Sequence, residues 1–146
     1  MLTYQKAEPE DIGTLFLLNK QLIEEFEDLA SIDYDKVLRW VRRNLEQNLS
    51  FFTRIYWDGK LAGYYCLLPA GGKMELDSLF VLPPFRGRGI GTAVLKKCQA
   101  ETLLPIFLYV FRRNIRALSL YERLGFQTVK EVGSTRYIME YQKQDC

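Results

Sequence analysis

The sequence predicts an α/β (α+β) fold in which helices flank one mixed sheet. Strand-like apolar runs alternate with amphipathic stretches along the chain, and the strand, helix and strand between Met74 and Phe111 require a parallel pair with a right-handed crossover. Hairpin signals on both sides of that unit add antiparallel neighbours, which makes the sheet mixed. A length of 146 residues suits one hydrophobic core, so residues 1-146 are expected to form a single domain.

Leu2 to Lys6 reads as a first strand. Pro9 stands near the start of a first helix, in which Ile12, Leu15, Leu18, Leu22 and Phe26 recur at helical spacing. After an acidic, irregular connection, Asp33 can cap a second helix whose buried stripe is Val37, Leu38, Val41 and Leu45, with Arg39, Arg42 and Arg43 mostly turned away. Ser50 to Trp57 is rich in aromatic and β-branched residues, and Asp58-Gly59 suits a two-residue hairpin turn into Lys60 to Leu68. Pro69 to Lys73 is a loop, and Met74 to Leu82 is a strand that stops at Pro83-Pro84.

From Gly89 a helical pattern runs through Ile90, Val94 and Cys98 to about Leu103, and Pro105 precedes a short strand, Ile106 to Phe111. Asn114 to Leu124 is a further helix closed by Gly125. Phe126 to Val132 and Ser134 to Tyr141 read as a final hairpin around Gly133.

Acidic and basic residues nearly cancel, at 18 against 20, so no overall field draws the protein to nucleic acid or an anionic membrane. The opening MLTYQKAEPED lacks a leader pattern, and no run approaches the roughly 20 apolar residues of a membrane span. A cytoplasmic protein is expected, with neither nucleic acid nor a membrane as partner. Cys66, Cys98 and Cys146 are odd in number and unclustered, which fits reduced thiols. The chain has no histidine, which removes Ser-His-Asp and Cys-His chemistry along with the commonest zinc ligand; no metal is expected.

Between the strand ending in prolines and the helix from Gly89 lies RGRGIG, Arg86 to Gly91. Glycines there let the backbone approach a bulky ligand or take positive φ, and free N–H groups at a helix start attract phosphate oxygens. The dinucleotide fingerprint would need glycine where Thr92 stands, and the nucleoside-triphosphate loop would need Gly-Lys-Ser/Thr. On spacing alone, a tight strand-to-helix turn with solvated arginines remains an open reading.

Arg86, Gly89 and Gly91 match the loop pattern of Arg or Gln, two residues, Gly, one residue, Gly or Ala, and ELDSLFVLPPF from Glu75 to Phe85 leads into it. Downstream, Asn114, Ala117, Leu120, Tyr121, Gly125 and Phe126 match a second motif in the right order. In these residues the chain resembles the GNAT superfamily of N-acetyltransferases. The specific motifs lie between about Glu75 and Phe126, and the amino-terminal third matches in architecture only.

The resemblance implies a centrally splayed sheet, open between the strand ending at Leu82 and the strand ending at Phe111, with the pantetheine arm of acetyl-CoA inserted like an extra strand. Backbone groups of Leu79, Phe80 and Val81 would then bond the cosubstrate's amides, and Arg86, Gly87, Arg88, Gly89, Ile90, Gly91 and Thr92 would hold its pyrophosphate. It further implies direct acetyl transfer to a primary amine, whether a small molecule, a polyamine, or a lysine or N-terminal amine. Glu75 would be the base, Tyr121 the acid that protonates the thiolate, Asn114 a cofactor hydrogen-bonding residue and Ala117 a small neighbour allowing close approach. A homodimer is compatible with this reading. A noncatalytic acyl-CoA sensor is the alternative, and a nucleic-acid module using Arg112, Arg113, Arg116 and Arg123 is a third reading that near-neutral charge disfavours.

The residues themselves say less about roles. Strand alternation would place Glu75, Asp77, Leu79 and Val81 on one face. Both carboxylates could equally be solvated, because a glutamate of pKa about 4.3 needs desolvation to serve as a base near neutrality. Asn114, Ala117 and Tyr121, three and four residues apart, share one helix face, although periodicity alone would make Tyr121 a core aromatic. Cys98 falls on the apolar stripe, and no acyl-cysteine is expected. Glu24, Glu25, Glu27 and Asp28 could attract a cationic acceptor or be a solvated face, and Tyr34, Tyr64 and Tyr65 could line its pocket or pack inside.

Overall fold

A computed structural model describes residues 1–143; Cys146 lies outside the described residues. Seven strands form one sheet, β1 (Leu2–Lys6), β2 (Phe52–Trp57), β3 (Lys60–Pro69), β4 (Met74–Val81), β5 (Ile106–Phe111), β6 (Gln127–Val132) and β7 (Arg136–Tyr141). Their spatial order is β1-β2-β3-β4-β5-β7-β6. β4 and β5 are parallel and every other neighbouring pair is antiparallel. The helices are α1 (Ile12–Phe26), α2 (Tyr34–Asn48), α3 (Ile90–Glu101) and α4 (Ile115–Arg123). The mixed sheet flanked by helices is therefore as expected. None of these helices is long and apolar enough to cross a membrane among the described residues.

Local chemistry sets the helix ends. Asp33 caps α2 by accepting from the Lys36 N–H at 3.2 Å, and Asn114 caps α4 by accepting from the Ala117 N–H at 3.2 Å. At β2 the expected boundary moves: Leu49–Phe51 tightens into a 3-10 turn below α2, Phe51 points outward, and the strand begins at the buried Phe52.

Two apolar layers sandwich the sheet. Ile90, Val94, Leu95 and Cys98 of α3, with Ala117, Leu120 and Tyr121 of α4, pack on one face against Leu76, Ile106, Leu108 and Val110. Leu15 and Ile23 of α1, with Val41 and Leu45 of α2, pack on the other against Phe52, Tyr64 and Cys66. In that second layer Asp11 is buried and holds Arg54 Nε at 2.7 Å and the Tyr64 hydroxyl at 2.8 Å. Burial works against its charge, but hydrogen bonds from the Glu8 N–H, Arg54 and Tyr64 prevail and hold its carboxyl below the usual range.

The β3–β4 ladder carries the feature that shapes the site. Cys66 pairs with Ser78 and Leu67 with Leu76, which leaves Asp77 as an extra residue in a β-bulge. Leu76, Leu79 and Val81 consequently face the α3 layer while Phe80 faces the α1–α2 layer. The expected single face of Glu75, Asp77, Leu79 and Val81 is thus corrected: alternation breaks at the bulge, and Leu79 and Val81 turn to the opposite side from Glu75.

β3 and β4 approach closely at Gly63, where a Cβ would stand 2.0 Å from the Phe80 carbonyl oxygen. Backbone cannot yield as a flexible side chain can, so Gly63→Ala should cost about 3 kcal/mol, at the upper end of overpacking effects. Urea unfolding of the variant reads this as a lowered midpoint with an unchanged slope.

Candidate active site

β4 and β5 pair only at Met74 with Ile106 and Glu75 with Phe107. Past those two steps the strands part, and a cleft of about 750 Å³ opens between them. Its walls include Glu75 to Phe80 of β4, Tyr109 to Phe111 of β5, Trp40 and Asn44 of α2, and Asn114, Ala117 and Tyr121 at α4. The cleft thus passes through the sheet, with α4 on one side and α1–α2 on the other.

Parting leaves the β5-facing edge of β4 without a ladder. The Leu82 N–H donates to Ala62 O on β3 at 2.8 Å, so antiparallel alternation turns the Phe80 backbone toward β3 and those of Leu79 and Val81 toward the opening. The Val81 carbonyl accepts from Arg86 Nε at 3.1 Å. Of the three residues expected to bond a cosubstrate through backbone, Leu79 and Val81 have the suitable orientation, whereas Phe80 faces Tyr64.

The glycine loop follows at the end of β4, outside the lining of the cleft. Pro83–Phe85 forms a 3-10 turn, Gly87 takes φ 76° and Gly89, the N-cap of α3, takes φ 77°. Nothing lies within 4 Å of where a Cβ would sit on either glycine. The first helical bond runs from the Ala93 N–H to Gly89 O, which leaves the N–H groups of Ile90, Gly91 and Thr92 without an intrahelical acceptor, and no side chain caps them. A positive helix end beside open space fits a phosphate group.

Other loop residues have additional duties. Gly91 lets α3 approach α4, since its Cβ would meet Leu120 Cδ2 at 3.1 Å, and the Ile90 side chain is buried. Arg86 is exposed, and the Arg88 guanidinium lies 5.5 Å from the ring centroids of both Trp57 and Phe85.

Asn114, Ala117 and Tyr121 line the cleft together, as their spacing predicts. The Asn114 carbonyl oxygen is used in capping, so its amide N–H₂ is the group left to meet a ligand. Tyr121 packs on Phe126 at 5.7 Å between centroids, and burial alone pushes its phenol up to about 12.

Across the sheet lies a carboxylate pair. Burial, and then the neighbouring Asp77 charge, raise Glu75 above the ordinary glutamate range. Asp77 is raised by burial, against hydrogen bonds from Ser78 Oγ at 3.0 Å and from Asn44. Asn48 Nδ2 donates to Asn44 Oδ1 at 2.8 Å, which fixes the Asn44 amide with its N–H₂ free for Asp77. The desolvation a carboxylate base needs is therefore present at Glu75.

Cys98 is 1% exposed within the α3 layer and its thiol is pushed up to about 11, first by burial. Of the acidic run, Glu27 lines the cleft, while Glu24, Glu25 and Asp28 are exposed. Of the two readings open for the tyrosines, packing holds: Tyr64 bonds Asp11, Tyr65 accepts from Lys97 Nζ at 3.2 Å, and Tyr34 packs in the α1–α2 layer. Arg112 pairs with Glu131 at 3.2 Å.

Sequence reading missed Trp40, Asn44, Ser78, Tyr109 and Arg136, all of which line the cleft. Trp40 and Asn44 had a local signal, since an i, i+4 pair beside Val41 shares its edge of α2. Tyr109 and Arg136 had none, because their meeting depends on strand register.

Three comparisons bear on this geometry. The profile of the acetyltransferase (GNAT) family matches residues 15–126. The spermine/spermidine N(1)-acetyltransferase of Bacillus subtilis (strain 168) is 33% identical over 86 residues, covering 50% of this chain and 57% of that protein. A mycothiol acetyltransferase of Clavibacter michiganensis is 39% identical over 74 residues, covering 48% of this chain and 24% of that protein. This chain thus spans about half, or less, of the length of the curated relatives it matches. Among solved structures, the PaiA N-acetyltransferase of Thermoplasma acidophilum in complex with coenzyme A superposes with a TM-score of 0.69 at 24% identity, over 98% of this chain and 99% of that one.

Proposed function

This chain belongs to the acetyltransferase (GNAT) family, and from that premise we propose that it transfers the acetyl group of acetyl-CoA directly to a primary amine. One observation carries the reading: two steps of β4–β5 pairing open a cleft that joins a desolvated carboxylate on one side of the sheet to Tyr121 on the other. The uncapped start of α3 stands at the end of β4, suited to a diphosphate. Buried, reduced thiols and dependence on a coenzyme A thioester suit the cytoplasm, and sedimentation checks the homodimer that the same reading allows.

When bound, acetyl-CoA would supply an activated acyl carbonyl and a thiolate leaving group. The N–H groups of Ile90, Gly91 and Thr92 and the side chain of Arg86 would hold the phosphates, and the backbone of Leu79 and Val81 would align the pantetheine arm as an added strand. Asn114 offers its amide and Ala117 leaves room beside it. Glu75 Oε takes the proton from the acceptor ammonium, which frees the lone pair for attack. The Tyr121 hydroxyl holds a proton for the departing sulfur. A thiolate buried beside Tyr121 would itself be raised in basicity, which narrows its gap to the phenol.

The test is a panel of amines, polyamines included because of the named relatives, incubated with acetyl-CoA while free thiol is recorded. Glu75 must be deprotonated to act, so kcat/KM should rise with pH through its elevated pKa. Glu75→Gln should remove that limb and lower kcat/KM about 100-fold, within the range for general bases. Asp77→Asn removes a like charge beside Glu75 and should move the limb toward lower pH. Unchanged profiles in both variants would take the base role from Glu75, and tight coenzyme binding with no thiol release from any amine would favour a sensor.

A further inference from the structure

The charged groups of the cleft are not all acidic. Arg136 and Tyr109 line it with Glu27, Glu75 and Asp77. Register fixes where Arg136 stands: it pairs with Phe111, two steps beyond the pairing of Tyr109 with Ile138 and four beyond that of Phe107 with Glu140. Residues two apart share a face, and Phe111 packs in the α1–α2 layer and stacks on Phe26 of α1 at 6.4 Å between centroids. Arg136 and Tyr109 therefore belong to the face that carries the carboxylates, opposite the face on which Tyr121 packs.

The guanidinium is held by an aromatic ring and not by a carboxylate. It lies over the Tyr109 ring, 5.3 Å from the centroid, and Tyr109 is itself 46% exposed. The other acidic residues of its hairpin are engaged elsewhere, Glu131 with Arg112 at 3.2 Å and Glu140 with Lys73 at 2.6 Å. Among the described residues no carboxylate pairs with Arg136 within 4.0 Å.

We infer that the acceptor is an amine that also bears an anionic oxygen group, a carboxylate or a phosphate, and that Arg136 receives that group. The inference rests on the transferase reading and specifies its substrate class. The acceptor side of the cleft is bipolar, with Glu75 and Asp77 at the β4 bulge for the ammonium and Arg136 toward the β7 end. Because Glu75 is level with Phe107 and the guanidinium covers Tyr109 on the next strand, the two poles are offset by about 7 Å along the strands, at roughly 3.3 Å per residue, and by a strand spacing of about 5 Å across them, which puts them at least about 8 Å apart. An extended dipeptide or a five-carbon aminoalkyl phosphate spans that distance. A polyamine would instead bring a second ammonium toward the guanidinium, and like charges in a cleft repel. A planar guanidinium matches both anions through paired N–H donors.

The experiment titrates the coenzyme A complex by calorimetry with paired ligands that carry or lack the anion: glycylglycine against glycylglycinamide, 5-aminopentyl phosphate against 5-aminopentanol, and spermidine. Thiol release from acetyl-CoA is recorded with the same amines. At least one anionic member should bind about 10- to 100-fold more tightly than its neutral counterpart, the range of a charge-assisted pair, and which one does so separates carboxylate from phosphate. In Arg136→Gln that ratio should fall close to one, Arg136→Lys should keep part of it, and Arg136→Glu should favour spermidine. Equal affinities within both pairs in the parent protein, or an equal loss for both members in Arg136→Gln, would overturn the inference. Absence of thiol release from every amine would sink the transferase reading, while the affinity ratios would still decide the role of Arg136.

Discussion

Gly89→Asp is expected to raise the dissociation constant for coenzyme A at least about 100-fold, and Gly89→Asn no more than about tenfold. The two side chains have nearly the same shape, and both enter a space in which no atom lies within 4 Å of the new Cβ. Both also tolerate the left-handed backbone that Gly89 adopts at φ 77°, better than other side chains do. They differ by one negative charge, placed where the free N–H groups of Ile90, Gly91 and Thr92 converge. At about 5 Å and an effective dielectric near 20, two unit charges repel by about 3 kcal/mol, which corresponds to a factor of about 100 in affinity. The side-chain oxygen of either residue can accept from the helix-end donors, so the charge is what separates the two variants. Calorimetric titration of the two variants measures the contrast directly. Equal losses would assign the effect to backbone strain, and full affinity in both would separate this loop from phosphate binding.

How much of this was readable in the sequence depends on whether the cause is local. The cap at Asp33, the Asp58-Gly59 turn and the glycine loop were legible, because each is decided within a few residues of chain. So was the shared face of Asn114, Ala117 and Tyr121, which needs only the helical repeat. The bulge at Asp77 was not, since an extra residue in β4 exists only relative to the register of β3. Missing it put Leu79 and Val81 on the wrong side, with consequences for how a strand-like ligand and a carboxylate base could coexist. Tyr64 was ambiguous for the same reason, because its hydroxyl is claimed by Asp11, 53 residues earlier. The bipolar lining of the acceptor side was likewise invisible: Glu75, Tyr109 and Arg136 come from three strands, and only the pairing of β5 with both β4 and β7 brings them to one cleft.

Tyr121→Phe is expected to lower kcat by about 100- to 1,000-fold, within the range for a general acid, while the KM for acetyl-CoA changes little. The substitution removes one hydroxyl and keeps the ring that packs on Phe126, so a thermal melt should be nearly unchanged and the loss should appear in the chemical step. The pH profile then distinguishes a proton donor from a packing residue. With the phenol pushed up to about 12 by burial, Tyr121 stays protonated through the working range, and it imposes no fall in rate near neutral pH. Replacing it should lower the plateau without moving the acidic limb, because that limb belongs to Glu75, which burial and Asp77 raise. The Glu75→Gln variant should instead lose that limb. Should Tyr121→Phe keep full turnover with an amine that the parent protein accepts, the proton would have to reach the sulfur from water. The aromatic contact with Phe126 would then be sufficient reason for a tyrosine-sized ring at this position.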